Sequence, residues 1–248
     1  YLGTWGEGLK MVNTGTRGDA VSLRSRNFTA TLINCLFRDR YNNIWVGTYG
    51  GGIFRFNPGN NGIGHFPVTE KLPAPALSLT APVSEKVLVG TQGEGVFLYD
   101  HASGKLSPVY RKPGAGDFSN YILTLNTLRN LVVVGHDAFG FTYADIPAGA
   151  LKFNDYFSDI NLEKITSSFM TPDGRIWLGT KQNGLVSLQM DAKTLKPSGY
   201  FHYDAFGPDE ITGFASLDAT RLFVTTHSGL FVFNTSTHKI EENGRPEA

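Results

Sequence analysis

NIWVGTYGGGIFRF, residues 43–56, decides the fold. An apolar run leads into a Gly-Thr step, a glycine-rich turn follows, and the chain resumes in a second run that alternates apolar and polar residues. Alternation of period two on either side of a short glycine-rich connection is the pattern of two antiparallel strands joined by a tight hairpin. The pattern occurs six times, centred on Gly3-Thr4, Gly47-Thr48, Gly90-Thr91, Gly135-His136, Gly179-Thr180 and Thr225-Thr226, so that successive copies lie 44, 43, 45, 44 and 46 residues apart. A period near 44 with two visible hairpin strands per unit is the length of one four-stranded propeller blade. The expected architecture is an all-β propeller of four-stranded blades, with residues 1–248 forming a single propeller domain or a fragment of a larger propeller.

Outward from the hairpin, each later copy is preceded by an apolar strand about 14 residues upstream of its Gly-Thr. These strands begin at Ile33, Ala76, Tyr121, Ile165 and Ile211 and are expected to be innermost, burying Ile33, Leu77, Leu123, Ile165 and Ile211. Turn residues at Asn42-Asn43, Ser84-Glu85, Arg129-Asn130, Asp173-Gly174 and Ala219-Thr220 join them to the strand that ends in Gly-Thr. That second strand is apolar on both faces, as in Val132-Val133-Val134 and Ile176-Trp177-Leu178, which fits a sheet covered on both sides. Trp45 and Trp177 read as packing residues within it. A recurring glycine, Gly8, Gly52, Gly95, Gly140, Gly184 and Gly229, restarts the chain as the third strand. A fourth, less regular strand tends to finish on an aromatic, Phe28, Phe66, Tyr110, Phe157 or Phe201, expected to wedge between blades. The first copy lacks its preceding strand and only about six residues follow the last fourth strand. The expected count is therefore five complete blades and three strands of a sixth.

Composition narrows the class. Hydrophobic residues make up 41%, charged residues 18%, and there are 29 glycines, the profile of a globular β-protein with many tight turns. Lys plus Arg and Asp plus Glu are both 22, and no run of like charge gives a nucleic acid or an anionic membrane a footprint. No stretch approaches the roughly 20 apolar residues that span a bilayer, so membrane attachment is expected only through segments outside residues 1–248. Opening on Tyr1 in mid-hairpin suggests a piece of something longer. Cys35 is alone, which forbids an internal disulfide and a cysteine-based zinc site and leaves it as a small buried hydrophobe.

The repeat resembles that of the two-component-regulator propeller family, whose blades read roughly as an apolar strand, a D-x-x-G-x turn, then IW-[VI]-G-T-x-x-G-G-[LI] and an alternating strand. Residues 39–56 and 171–188 match best; LGTWGEGLKM and VLVGTQGEGVFLYD match well, the fourth copy has His136 for Thr, and the sixth has Thr225 for the first Gly. WD-repeat, kelch and quinoprotein propellers share the period approximately, but the Trp-Asp ending of the first and the double glycine of the second are missing. The resemblance implies a periplasmic sensor region of a bacterial membrane receptor, with a kinase or diguanylate cyclase output elsewhere in the full protein. Some relatives sense oligosaccharides, and a homodimer is possible in a full receptor.

In a propeller the turns between second and third strands emerge at the same end as the loops between blades, such as residues 112–119 and 204–210. The turns carry Trp5, Glu7, Tyr49, Gln92, Glu94, His136, Asp137, Lys181, Gln182, Asn183 and His227, which differ from copy to copy while the framework stays constant. Aromatics mixed with amides, carboxylates and a lysine suit a small polyhydroxylated ligand or oligosaccharide, with Trp5 and Tyr49 as stacking platforms. The same residues also read as ordinary solvated turn residues. His136 with Asp137, and His227, permit an acid–base or metal reading, but no paired carboxylates, H-x-x-x-H spacing or nucleophile–base pair accompanies them. Neither catalysis nor a cofactor is expected. The sequons at Asn27 and Asn234 read as chance. Alternatives to a ligand sensor are a protein-interaction scaffold or a lyase or hydrolase working at the same face.

Overall fold

The computed structural model describes residues 1–12, 20–23, 32–59, 63–65, 72–83, 86–112, 117–128, 131–138, 140–145, 151–156, 162, 164–191, 194 and 196–244. They fall into two compact units, Tyr1–Leu125 and Asn126–Ala248. The first unit holds a three-stranded blade, β1 (Leu2–Gly3), β2 (Leu9–Val12) and β3 (Ala20–Leu23), paired in that order. Two four-stranded blades follow. They are β4 (Ile33–Arg38), β5 (Ile44–Thr48), β6 (Ile53–Phe56) and β7 (Ile63–His65), then β8 (Ala76–Val83), β9 (Lys86–Thr91), β10 (Val96–Asp100) and β11 (Lys105–Tyr110). The boundary falls inside β12 (Ile122–Leu128), which opens the fourth blade with β13 (Leu131–His136), β14 (Phe141–Asp145) and β15 (Lys152–Tyr156). In the second unit come β16 (Ile165–Met170), β17 (Arg175–Thr180), β18 (Leu185–Met190) and β19 (Pro197–Tyr203), then β20 (Ile211–Ser216), β21 (Arg221–Thr226), β22 (Gly229–Asn234) and β23 (Lys239–Gly244). Five four-stranded blades and one of three strands match the count expected from the repeats. Among the described residues no helix is long and apolar enough to cross a membrane.

The Gly-Thr step has two separate causes. The first strand of a blade meets the second through a bulge, with Cys35 opposite Gly47, Ser78 opposite Gly90 and Ser167 opposite Gly179. A Cβ on those glycines would lie 2.4 Å from Cys35 Sγ, 2.3 Å from Ser78 Oγ and 2.3 Å from Ser167 Oγ, and on Gly90 and Gly179 it would also lie 2.8 and 2.9 Å from the Cβ of Ile122 and Ile211 in the following blade, so these positions leave no room for one. In the sixth blade the pair is inverted: Gly213 faces Thr225, and a Cβ on Gly213 would meet Thr225 Oγ1 at 2.9 Å. The departure of the sixth copy from Gly-Thr is thus compensated across the sheet. The threonine closes the turn. Thr4, Thr48, Thr91 and Thr180 each donate both N–H and hydroxyl to the carbonyl of the glycine four residues on, the hydroxyl bonds measuring 2.7, 2.7, 2.7 and 2.9 Å.

Packing follows the strand period. Ile44 and Val46 of β5 join Leu9 and Ile33 in a core between the first and second blades, whereas Trp45 points the other way, into a core with Ala76, Val89 and Tyr99 of the third. The second unit repeats this, with Ile176 and Leu178 against the fourth blade and Trp177 against Leu222 and Phe233 of the sixth. Both tryptophans are packing residues, as expected. Strands β5, β9, β13 and β17 are covered on both faces, but β21 is covered on alternate residues, with Phe223 half-buried and Thr225 exposed.

Two sequence expectations shift in register. Leu77 and Leu123 are only half-buried; Ala76 and Ile122 fill the enclosed positions, because the bulge puts Ala76 opposite Thr91 as it puts Ile33 opposite Thr48. Phe201 is exposed on β19 and does not wedge; Tyr203, two residues on, does so by packing on Trp177 and Phe233 at ring-centroid distances of 5.6 and 5.7 Å. Tyr110 is half-buried, and Phe28, Phe66, Phe157, Asn27 and the turns at 84–85 and 129–130 lie outside the described residues.

Polar side chains stitch neighbouring blades. Asn34 Nδ2 donates to Ala76 O at 2.8 Å and Ser78 Oγ to Ile122 O at 3.0 Å in the first unit. In the second, Asn126 Nδ2 donates to Ser168 O at 3.0 Å and Ser167 Oγ to Ile211 O at 3.2 Å. A bond of this kind contributes about 0.5–1.5 kcal/mol, but its direction fixes the register between first strands.

Candidate functional site at the hairpin turns

Because the threonine clasp ties the two ends of the hairpin turns that begin at Thr4, Thr48, Thr91 and Thr180, the residues between them are pushed outward. The loops between blades reach the same end: Gly93 and Gly95 N–H donate to Asn120 O at 3.2 and 3.1 Å, and Asp209 accepts from Ser228 N–H at 3.3 Å and from its hydroxyl. Both loop sets therefore share one rim in the blades where they meet.

In the first unit the rim carries two large exposed rings. Trp5 is 70% and Tyr49 47% exposed, with ring centroids 5.9 Å apart and planes inclined by 54°. Equivalent positions in adjacent repeats have been brought side by side. Both hang from one segment: Trp5 forms an isolated antiparallel bridge with Leu32, and Tyr49 N–H donates to Leu32 O at 3.1 Å. Trp5 Nε1 donates to Asn34 Oδ1 at 3.2 Å, and the other end of that amide is held by Ala76 O. The indole is thus exposed but oriented, and two inclined ring faces form a shallow V to which an apolar face of a ligand can be applied without side-chain ordering. Glu7 is exposed and paired with Lys10. Gln92 and Glu94 are half-buried, Gln92 bridging to Tyr121 and Glu94 pairing with Arg111 at 3.1 Å.

The second unit departs from expectation at His136. It takes the place of the clasp threonine and is 0% exposed, its Nε2 2.8 Å from the buried Thr142 hydroxyl. A position that points inward in the other copies points inward here, so His136 is a core residue and not a rim ligand or acid–base group. Asp137 is half-buried and ion-paired with Lys164 at 3.0 Å. Lys164 O accepts from Lys181 N–H at 3.2 Å, beside exposed Lys181 and Gln182. Asn183 accepts at its carbonyl from His202 Nε2, whose Nδ1 stands 3.2 Å from Asp204 Oδ1. His227 is exposed. Next to it a shallow pocket of about 430 Å³ is lined by Phe206, Pro208, Asp209, Ser228, Phe231 and Ile240. Desolvation raises the Asp209 pKa, but hydrogen bonds from Ser228 and Thr226 outweigh it and hold the carboxyl below its ordinary value.

Sequence reasoning did not single out Asn34, Arg111, Lys164, His202 or Asp209. Asn34 carried a signal, an amide within an otherwise apolar strand; Arg111, Lys164 and Asp209 become rim residues through the pairing of turn and loop, and His202 through the pairing of the end of β19 with a turn.

The architecture is that of a β-propeller. The described blades align with the extracellular domain of BT4673 of B. thetaiotaomicron, described in one structure as a hybrid two component system (TM-score 0.69, 17% identity) and in another as a one component system (TM-score 0.67, 18% identity). Each alignment covers 94% of this chain and 33% of that domain, so the chain spans about a third of its length. The computationally designed Ika8 protein is also similar, with TM-score 0.60 and 16% identity over 86% of this chain and 62% of the other. Residues 27–50 match the two component regulator propeller family, the repeat on which the sequence resemblance rests. No curated protein matches the chain.

Proposed function

We propose that residues 1–248 are a single ligand-sensing propeller domain of a bacterial signal-transduction receptor. It lies outside the cytoplasm and relays binding of a small molecule or oligosaccharide to an output domain carried elsewhere. The observation that carries the reading is the anchored, solvent-facing Trp5–Tyr49 pair on a propeller whose repeat matches the two component regulator family. Exposing two large rings side by side gives up apolar burial, and tying one of them to Asn34 orients a surface that the fold itself does not use. Sugar C–H faces stack on such rings, and hydroxyls can be met by Asn34, Glu7 and the turn amides. The role assigned to the rim is recognition, not chemistry.

Calorimetry with a panel of oligosaccharides on the receptor's complete sensor region tests this. Trp5→Ala and Tyr49→Ala are each expected to weaken binding about tenfold or more with the melting temperature nearly unchanged, a loss of about 1.4 kcal/mol. Asp173→Ala, in a turn at the opposite end of its blade, should leave binding intact. A ligand whose affinity falls with Asp173→Ala and not with the ring variants would put the site at the wrong end, and no binding across the panel would remove the oligosaccharide reading.

A further inference from the structure

The pocket beside His227 belongs to one junction, between the loop that leaves the fifth blade and the sixth blade, and every residue lining it lies within Asn126–Ala248. Its apolar side is built from two rings set at right angles. Phe206 ends a single 3₁₀ turn, Asp204–Phe206, and Phe231 stands on β22, with ring centroids 5.5 Å apart and planes inclined by 90°. Ile240 of β23 and Pro208 extend the wall. The loop is tied to itself, since Gly207 N–H donates to Asp204 O at 3.0 Å and Asp209 N–H to Phe206 O at 3.4 Å. A ligand entering here meets a surface that is already ordered.

One charged side chain lines the same space, Asp209. Its carboxylate is fixed by Ser228, through N–H at 3.3 Å and through the hydroxyl, and by the side chain of Thr226. Neutral donors hold the negative charge in place without cancelling it. The ion pairs of the second unit are Lys164–Asp137, His202–Asp204, and Arg221 with Asp218 and Glu241; among the described residues none takes Asp209. His227 adds only an attraction at longer range. A carboxylate with no cation of its own, beside an aromatic wall in a space of about 430 Å³, is complementary to a ligand that carries an ammonium group on an apolar body. A bare metal ion fits poorly, because one carboxylate among carbon atoms supplies too few oxygens.

We propose that this pocket binds a small organic cation, a primary ammonium on an apolar body, with the ammonium on Asp209 and the body against Phe206, Phe231 and Ile240. The exposed Ser228 hydroxyl, already bonded to Asp209, keeps the accepting carboxylate oriented towards the opening. The site sits on a different blade from Trp5 and Tyr49 and holds whether or not those rings stack on a sugar.

A series of probes that differ in charge separates recognition from a carboxylate that merely ties loop to turn. 2-Phenylethylamine, 2-phenylethanol and 3-phenylpropionate share a phenyl ring, and each is titrated by ligand-detected NMR into the complete polypeptide that carries residues 1–248. The amine is expected to bind about fivefold more tightly than the alcohol, and the propionate more weakly than either. Added salt should shrink that preference. Asp209→Asn should bring amine and alcohol to equal affinity, Ala205→Trp at the exposed edge of the pocket should weaken both, and Trp5→Ala should change neither. Equal affinity for all three probes, or no binding of the amine, would overturn the proposal without need of any variant. So would an amine preference that survives Asp209→Asn or disappears with Trp5→Ala. Oligosaccharide binding lost with Trp5→Ala bears on the sugar reading alone.

Discussion

The second and fifth blades contain the same tryptophan in the same strand and support it differently. In the second, Asp39 opens the turn before β5 and accepts from Tyr41 N–H, Asn43 N–H, Asn43 Nδ2 and Trp45 Nε1, each at 2.9 Å. In the fifth, Thr171 stands where Asp39 stands, and its hydroxyl goes to Arg175 O at 3.0 Å. The shorter side chain serves the turn but leaves the buried Trp177 Nε1 without a hydrogen-bond partner. The fifth blade compensates with rings: Trp177 lies 5.6 Å from both Tyr203 and Phe233, whereas Trp45 has Tyr99 at 6.3 Å. One repeat position can thus be held by a polar turn or by aromatic packing.

The largest break in this comparison should come from removing the ring. Trp177→Ala is expected to cost about 3–5 kcal/mol in denaturant unfolding, because the space left between the fifth and sixth blades cannot collapse. A loss under about 1 kcal/mol would mean that the aromatic support is dispensable. Smaller is the effect of the turn. Asp39→Ala removes the acceptor shared by four donors and should cost about 1–3 kcal/mol, against about 0.5–1.5 for Thr171→Ala. The Asp39 contribution also has a pH signature. Desolvation works against the charged carboxyl, but the hydrogen bonds from Trp45, Asn43 and Tyr41 prevail and lower its pKa. The folded pKa lies below the unfolded one, so this stability is present above about pH 4 and is lost as pH falls through the folded value. Subtracting the acid limb of Asp39→Asn from that of the parent should isolate it; identical limbs would refute the assignment. Smallest is a gain: Thr171→Asp gives Trp177 Nε1 an acceptor and should stabilise by about 1 kcal/mol, unless the aromatic cage holds the indole out of reach, in which case chemical denaturation will show no gain.

Much of the architecture was legible because it is written in local chemistry. A Gly-Thr-x-x-x-Gly hairpin fixes its own turn through one threonine, and four such hairpins with two variants of them at a nearly constant period leave few alternatives. What was missed depends on pairing across strands. A bulge between first and second strands moves the enclosed position from Leu77 to Ala76, and in the fourth blade Ile122 is likewise enclosed in place of Leu123, which alternation within one strand cannot reveal. Phe201 and Tyr203 differ by two residues on one strand face, and only the neighbouring blade decides which is covered. His136 was readable: the threonines at its position in other copies bond back into the turn, so a histidine there is drawn into the blade as well. At the rim, Trp5 and Tyr49 were legible as equivalents in consecutive copies, whereas Lys164 reaches it through a loop whose course the repeat does not specify and His202 from the end of β19, the least regular strand of the repeat.

The inverted pair at Gly213 and Thr225 bears on how such blades can diverge. In the fifth blade the side chain belongs to Ser167 and the gap to Gly179; in the sixth the assignment is reversed. Occupying both positions at once would bring atoms to within about 2.3 Å, as a Cβ on Gly179 shows against Ser167. Among single substitutions from one arrangement to the other, the least crowded order removes one side chain before adding its counterpart and so passes through a blade with glycine on both strands, where the chain has more freedom to lose on folding.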